Sequence, residues 1–181
     1  MSRRPHYPAT IAEAVLQLEA QLTPEDRAAL LASSEMGLSD HHFGFGLWIR
    51  NNLGLHGQNG PLIEELKQAL GHPFGLDADA FSAALIELLW ERVSGYEGPG
   101  VLARGAATRA FYAAMREAWQ AVRSGDKAAG LNVLRDGRDQ VRREGERLIP
   151  GTPAAKRWEV EVLLGWECAL EFYCEKYGLS L

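Results

Sequence analysis

Asp77-Ala78-Asp79-Ala80-Phe81-Ser82-Ala83-Ala84-Leu85-Ile86-Glu87-Leu88-Leu89-Trp90-Glu91-Arg92-Val93 is the stretch that decides the fold. Phe81, Leu85, Leu88, Leu89 and Val93 recur three or four residues apart, the spacing that lines up side chains on one face of an α-helix. Asp77 stands where a capping carboxylate can receive the first free backbone N–H groups. A long amphipathic helix is therefore predicted from 77 to about 93. No stretch of period two occurs anywhere in the chain, so the expected class is all-α.

Upstream, His72-Pro73-Phe74-Gly75 reads as a turn. Gly54, Gly57 and Gly60 break the chain before Pro61, which restarts it as a helix over about 61–70. Thr23-Pro24-Glu25-Asp26 is a strong start signal: a threonine cap, proline at the first helical position, and acids facing the positive end of the helix dipole. It predicts a helix over about 24–33. Thr10 before Ile11-Ala12-Glu13 predicts another over about 11–21. Downstream, Gly95-Tyr96-Glu97-Gly98-Pro99-Gly100 is the clearest boundary. Three longer helices are expected beyond it, over about 104–123, 126–148 and 153–177. The second carries Gly130, Leu134, Gly137, Val141, Gly145 and Leu148 at helical spacing, small residues that let a neighbouring helix approach closely. The last carries Trp158, Val162, Trp166, Ala169 and Tyr173. The expected architecture is a compact multi-helix protein of about five short helices followed by a three-helix unit. Residues 1–94 form an acidic helical domain, and residues 101–181 form the three-helix unit, with its own core or one shared with the first.

The remaining short helix is the chemically unusual one. Residues 39–57 hold three histidines, Trp48, Arg50, Asn51, Asn52 and glycines at 44, 46, 54 and 57. Ser39-Asp40 can cap a helix running to about Leu53, although Gly44 and Gly46 each weaken it by roughly 1 kcal/mol relative to alanine. Continuity would place His42, Gly46 and Arg50 along one stripe. Phe43, Phe45, Trp48 and Ile49 are most simply core residues. Arg50, with Asn51, Asn52 and Trp48, forms the candidate ligand-binding set, because a guanidinium offers a planar fork of donors and the amides add more. The stronger of the two readings pairs Arg50 with Asp40, Asp77 or Asp79 to lock the domain together, with Asn51 or Asn52 closing the helix end.

The block from about Thr10 to Val93 resembles a bacterial domain family of unknown function. The residues that carry the resemblance are His42-Phe43-Gly44-Phe45-Gly46-Leu47-Trp48-Ile49-Arg50-Asn51, then Gly54-Leu55, His72-Pro73 and Asp77-Ala78-Asp79. It covers the first half only and implies no activity.

His41, His42, His56 and His72 invite a metal site, yet adjacent histidines on a helix point in different directions and no paired-ligand spacing supports it. No metal and no cofactor is expected. A glycine pair outside a strand-to-helix context carries no nucleotide-binding signal, and no nucleophile elbow exists. Arg135, Arg138, Arg142, Arg143 and Arg147 interleave with Asp136, Asp139, Glu144 and Glu146, which reads as a solvated face laced with ion pairs.

The chain has 181 residues, 46% hydrophobic and 24% charged, which is the composition of a folded protein. Residues 1–100 carry 6 Lys and Arg against 13 Asp and Glu, and residues 101–181 carry 13 against 11. That acidic front half argues against nucleic acid as a partner and favours a basic protein. No apolar run reaches the roughly 20 residues of a membrane span, and no signal-like segment follows Arg3 and Arg4. Cys168 and Cys174 lie about 240° apart around a helix, so they read as reduced, buried thiols, and the expected compartment is the cytoplasm. The sequence favours a non-enzymatic protein-interaction module, one form of which is the immunity partner that neutralises a toxin. The alternative is a small enzyme or ligand-binding protein with an anion pocket, His42 acting as acid/base and Arg50 as clamp.

Overall fold

The computed structural model describes residues 7–72 and 75–180. The protein is all-α, with no strand among the described residues. It divides into two compact units that meet in sequence at Val101 and Leu102, each with its own buried cluster. Pro73 and Phe74 of the expected turn at 72–75 lie outside the described residues.

In the first unit the start signals act as the sequence reads. The helix α1 (Ile11–Gln21) begins where the Thr10 hydroxyl accepts the Glu13 N–H at 3.1 Å and the Glu13 carboxylate accepts the Thr10 N–H at 3.3 Å. Thr23 and Asp26 repeat this reciprocal cap at α2 (Pro24–Ala32). Each such cap stabilises its helix by about 1 kcal/mol.

The next helix departs from expectation. It does not start at Ser39-Asp40. Ser34 caps it instead, its hydroxyl accepting the Gly37 N–H at 3.1 Å. The chain then runs as a tight 3-10 helix (Glu35–His41), widens into a π turn (His42–Gly46) and settles into α3 (Leu47–Asn52). Two glycines within the widened turn lower the cost of leaving regular α geometry. Beyond it, Gly54 takes φ +68°, and the Tyr7 ring lies where a Cβ would come within 2.9 Å, so only glycine fits.

The helix α4 (Gly60–Leu70) is capped by Asn59, a buried amide that also donates to the carbonyls of Pro8 (2.8 Å) and Leu53 (3.0 Å). The helix α5 (Ala78–Ser94) begins with Asp77 accepting the Ala80 N–H and ends at Gly95 in the left-handed conformation. It is the centre of this unit, packing on α1, α2 and the segment leading into α3. Leu18, Ile49, Leu53, Leu62, Leu66, Leu85, Ile86 and Leu89 are fully buried. Burying each such side chain contributes about 1.5–3 kcal/mol. At the edge of this core Glu19 receives both Arg27, at 3.0 Å, and Arg92. The two guanidiniums, Arg92 foremost, hold its carboxyl below the ordinary value of 4.5.

The second unit contains α6 (Val101–Arg123), α7 (Lys127–Gly145), α8 (Pro153–Trp158), a π turn (Glu159–Leu163) and α9 (Leu164–Tyr177). The glycine stripe of α7 is a contact surface for aromatic rings. Gly130 faces Tyr173, Gly137 faces Trp166 and Gly145 faces Trp158, each so close that a Cβ would collide. Two rings are also tied by hydrogen bonds: Trp158 Nε1 donates to the Val141 carbonyl (3.1 Å) and the Tyr173 hydroxyl to that of Lys127 (3.2 Å). Burial, then the neighbouring Tyr177, Asp126 and Cys174, raise the Tyr173 pKa above its ordinary value. The expectation of two buried thiols holds for Cys174 and is corrected for Cys168, which is exposed. Their angular separation puts the two on different faces of the helix.

Candidate functional site

Arg50 is almost wholly buried. Its Nε lies 3.0 Å from Asp79 Oδ1, and its Nη1 donates to the Ser82 hydroxyl at 3.0 Å. The Ser82 hydroxyl in turn donates to the Asp79 carbonyl at 2.9 Å. His42 joins from the other side, its Nε2 3.8 Å from Asp79 Oδ2. Gly46 makes room for this arrangement, since a Cβ there would stand 3.2 Å from Arg50 Nη1 and 3.5 Å from Ser82 Oγ. The segment 42–50 and the first turn of α5 are therefore joined through one guanidinium. His42, Gly46 and Arg50 do converge, and what they converge on is Asp79 within the fold.

The other candidates separate. Asn52 donates to the Trp48 carbonyl at 2.8 Å and closes the end of α3, while Asn51 is exposed. The His41 ring meets the Ser33 hydroxyl at 2.8 Å. His56 and His72 are exposed, and no three of His, Cys, Asp and Glu among the described residues are placed to hold a metal ion.

A half-open groove of about 400 Å³ opens on the His41 side of the segment, away from the Arg50 pair. Gln21 and Leu22 at the end of α1, Asp26, Ala29 and Leu30 of α2, and His41, Gly44, Phe45 and Trp48 line it. Phe45 and Trp48 stack there, ring centroids 6.1 Å apart and planes 16° from parallel. Of Phe43, Phe45, Trp48 and Ile49, the four residues of this segment expected in the core, only Ile49 is fully buried. Phe45 is half-buried, Trp48 is 38% exposed and Phe43 is 84% exposed. The physical reason is the π turn: it holds one residue more than an α turn, so a face counted at 3.6 residues per turn loses register across 42–46. Leu47 is also exposed, at 48%.

Two features escaped the sequence reading. The π turn has no reliable sequence signal beyond the paired glycines. Asn59 lies between Gly57 and Gly60 in the stretch read as a break in the chain, although an amide just before Gly60-Pro61 is a fair capping signal. In the second unit, Arg138 pairs with Asp139 (2.6 Å), Arg142 with Glu167 (2.8 Å), and Arg135 donates to the Ser180 carbonyl (2.7 Å). A pairing not anticipated joins buried Arg104 to Glu161 at 3.0 Å.

Residues 7–93 match the model of a family described as a domain of unknown function, DUF6794. The match runs from just before α1 to the last turn of α5, and so includes the groove and the Arg50–Asp79 pair. No curated protein and no solved structure matches the chain.

Proposed function

We propose that the chain is a non-enzymatic protein-interaction module whose recognition surface is the segment 41–48 with its adjoining groove. The observation that carries this reading is the exposure of Phe43, at 84%, together with Leu47 and Trp48 on the same two turns. Exposed apolar side chains on a segment that also lines a concave surface are what protein interfaces use as anchors.

Gly44 supports the same reading. It lines the groove, its φ is not positive, and a Cβ built on it would meet nothing within 4 Å. Alanine would therefore fit without a clash. No neighbour packed against this position demands the missing side chain; inside the fold only the backbone freedom of the π turn is served by it. A bare backbone at the rim does let another chain approach closely.

The anion-pocket alternative requires Arg50 to offer donors to a cavity. Two of its nitrogens are instead bound to Asp79 and Ser82, and the groove is lined by neither His42 nor Arg50. The narrower proposal, an immunity-type protein that neutralises a basic toxin, draws its support from the acidic balance of residues 1–100.

The test is a comparative capture from lysate of the source cell with tagged wild type, Phe43→Ser and Trp48→Ala. A partner retained by wild type and lost from both variants, with unchanged helical circular dichroism, is the expected result. Equal recovery by all three would sink the proposal.

A further inference from the structure

The groove has a second property, its charge. Leu22, Ala29, Leu30 and the Phe45–Trp48 stack form its apolar wall, no Lys or Arg lines it, its one histidine, His41, has its Nε2 engaged with the Ser33 hydroxyl, and its one carboxylate is Asp26. Asp26 Oδ2 is engaged by the Thr23 N–H and hydroxyl, while Oδ1 accepts no hydrogen bond among the described residues. The sequence of this half is acidic as well. Residues 1–100 carry 13 acids against 6 cations, and Arg27, Arg50 and Arg92 are already bound to Glu19 and Asp79.

We infer that the groove takes an arginine side chain of the partner, presented beside a large apolar residue. This rests on the reading of residues 41–48 as the recognition surface and names what that surface receives. Aromatic faces attract a cation through the ring quadrupole, and a guanidinium is planar, weakly hydrated and able to stack. The aliphatic stem lies along Leu22 and Leu30, the guanidinium covers the Phe45–Trp48 pair, and its N–H groups reach Asp26. The neighbouring apolar residue of the partner covers Phe43 and Leu47. Lysine would satisfy Asp26 but stack less well, so arginine is preferred. The acidic balance of residues 1–100 favours the approach of such a segment.

The experiment selects displayed random peptides on the full chain, then measures the enriched peptides by fluorescence anisotropy. Expected sequences contain arginine next to Leu, Phe, Met or Trp. Replacing that arginine by alanine, or Asp26 by asparagine, weakens binding about tenfold, and arginine to lysine weakens it by a smaller factor. Because Asp26 also caps α2, a salt titration of unmodified protein gives an independent readout. Affinity falls between about 50 and about 500 mM NaCl as the Debye length shortens.

Enriched peptides that are acidic or uncharged, binding indifferent to both salt and D26N, or the absence of any enrichment overturns the inference. Peptides that respond to Phe43→Ser and Trp48→Ala but lack arginine overturn this inference alone. Peptides indifferent to those variants as well overturn the recognition surface with it.

Discussion

Removing the exposed partner of the Arg50–Asp79 pair will damage the protein more than removing the buried one. Arg50 has a side chain 8% exposed, whereas that of Asp79 is 56% exposed. In Asp79→Ala the guanidinium keeps only the Ser82 hydroxyl and stays mostly out of water. Loss of a charge-assisted hydrogen bond costs about 1.5–3 kcal/mol. A fully buried charge without its partner costs about 3–5 kcal/mol, but truncating Asp79 also lets water in, which keeps this case below that range. Asp79 further supplies an acid to the first turn of α5, a contribution of about 0.3–1 kcal/mol. The sum is a destabilisation of about 2–4 kcal/mol. In Arg50→Met the carboxylate of Asp79 remains hydrated, the apolar stem is replaced, and Ser82 still has the Asp79 carbonyl as acceptor. That change should cost about 1 kcal/mol.

The double variant should lie close to Arg50→Met, below it only by the dipole contribution, because no charge is left buried. Urea unfolding of the full chain, followed by far-ultraviolet circular dichroism, measures all four corners of this cycle. An Asp79→Ala variant within about 0.5 kcal/mol of wild type, a margin normal for surface changes, would refute the reasoning. So would Arg50→Met as the more harmful single change.

Three further outcomes follow from the second unit. Gly137→Ala should destabilise by about 1–3 kcal/mol in the same unfolding assay despite better helix propensity, because Trp166, itself 2% exposed, occupies the space its Cβ needs. Tyr173 keeps its proton longer in the folded protein than in the unfolded chain. Its contribution is therefore fully present below the ordinary value of 10.0 and is lost as pH rises through the higher folded value. Tyr173→Phe should flatten the alkaline fall in stability, and an unchanged slope would count against the burial described. Finally, Ellman's reagent should titrate one thiol, Cys168, in the native protein and a second, Cys174, only on denaturation; two fast thiols would contradict the placement of Cys174.

The helices announce themselves in the sequence wherever local chemistry decides their ends. Thr10, Thr23 and Asp77 each cap where a hydroxyl or carboxylate precedes an apolar repeat, and Gly95 ends α5 because its left-handed φ of +68° suits glycine. The α7 glycine stripe was equally readable, since close packing requires a missing side chain. The segment 35–52 was not, because the choice among 3-10, π and α turns there is small in local energy and is tied to tertiary contacts. Arg50 must reach Asp79, and His41 must reach Ser33, 8 residues away. A one-residue change of register moves Phe43 outward, an outcome no periodicity count can foresee. Asp79 was one of three carboxylates, with Asp40 and Asp77, offered as the partner of Arg50, because a buried guanidinium needs a counter-charge and the sequence alone does not choose among neighbours. The groove was invisible because its walls come from three separate stretches of chain.

The glycine–aromatic contacts of α7 also form a code for alignment. Gly130, Gly137 and Gly145 are separated by seven and then eight residues, and so, read backwards, are Tyr173, Trp166 and Trp158. Because the two intervals differ, any other sliding position of these antiparallel helices seats at most one ring on a glycine and drives the others against ordinary side chains. Like a vernier, the unequal spacing admits a single coincidence, so three glycines set the register of α7 against the continuous run of α8, π turn and α9.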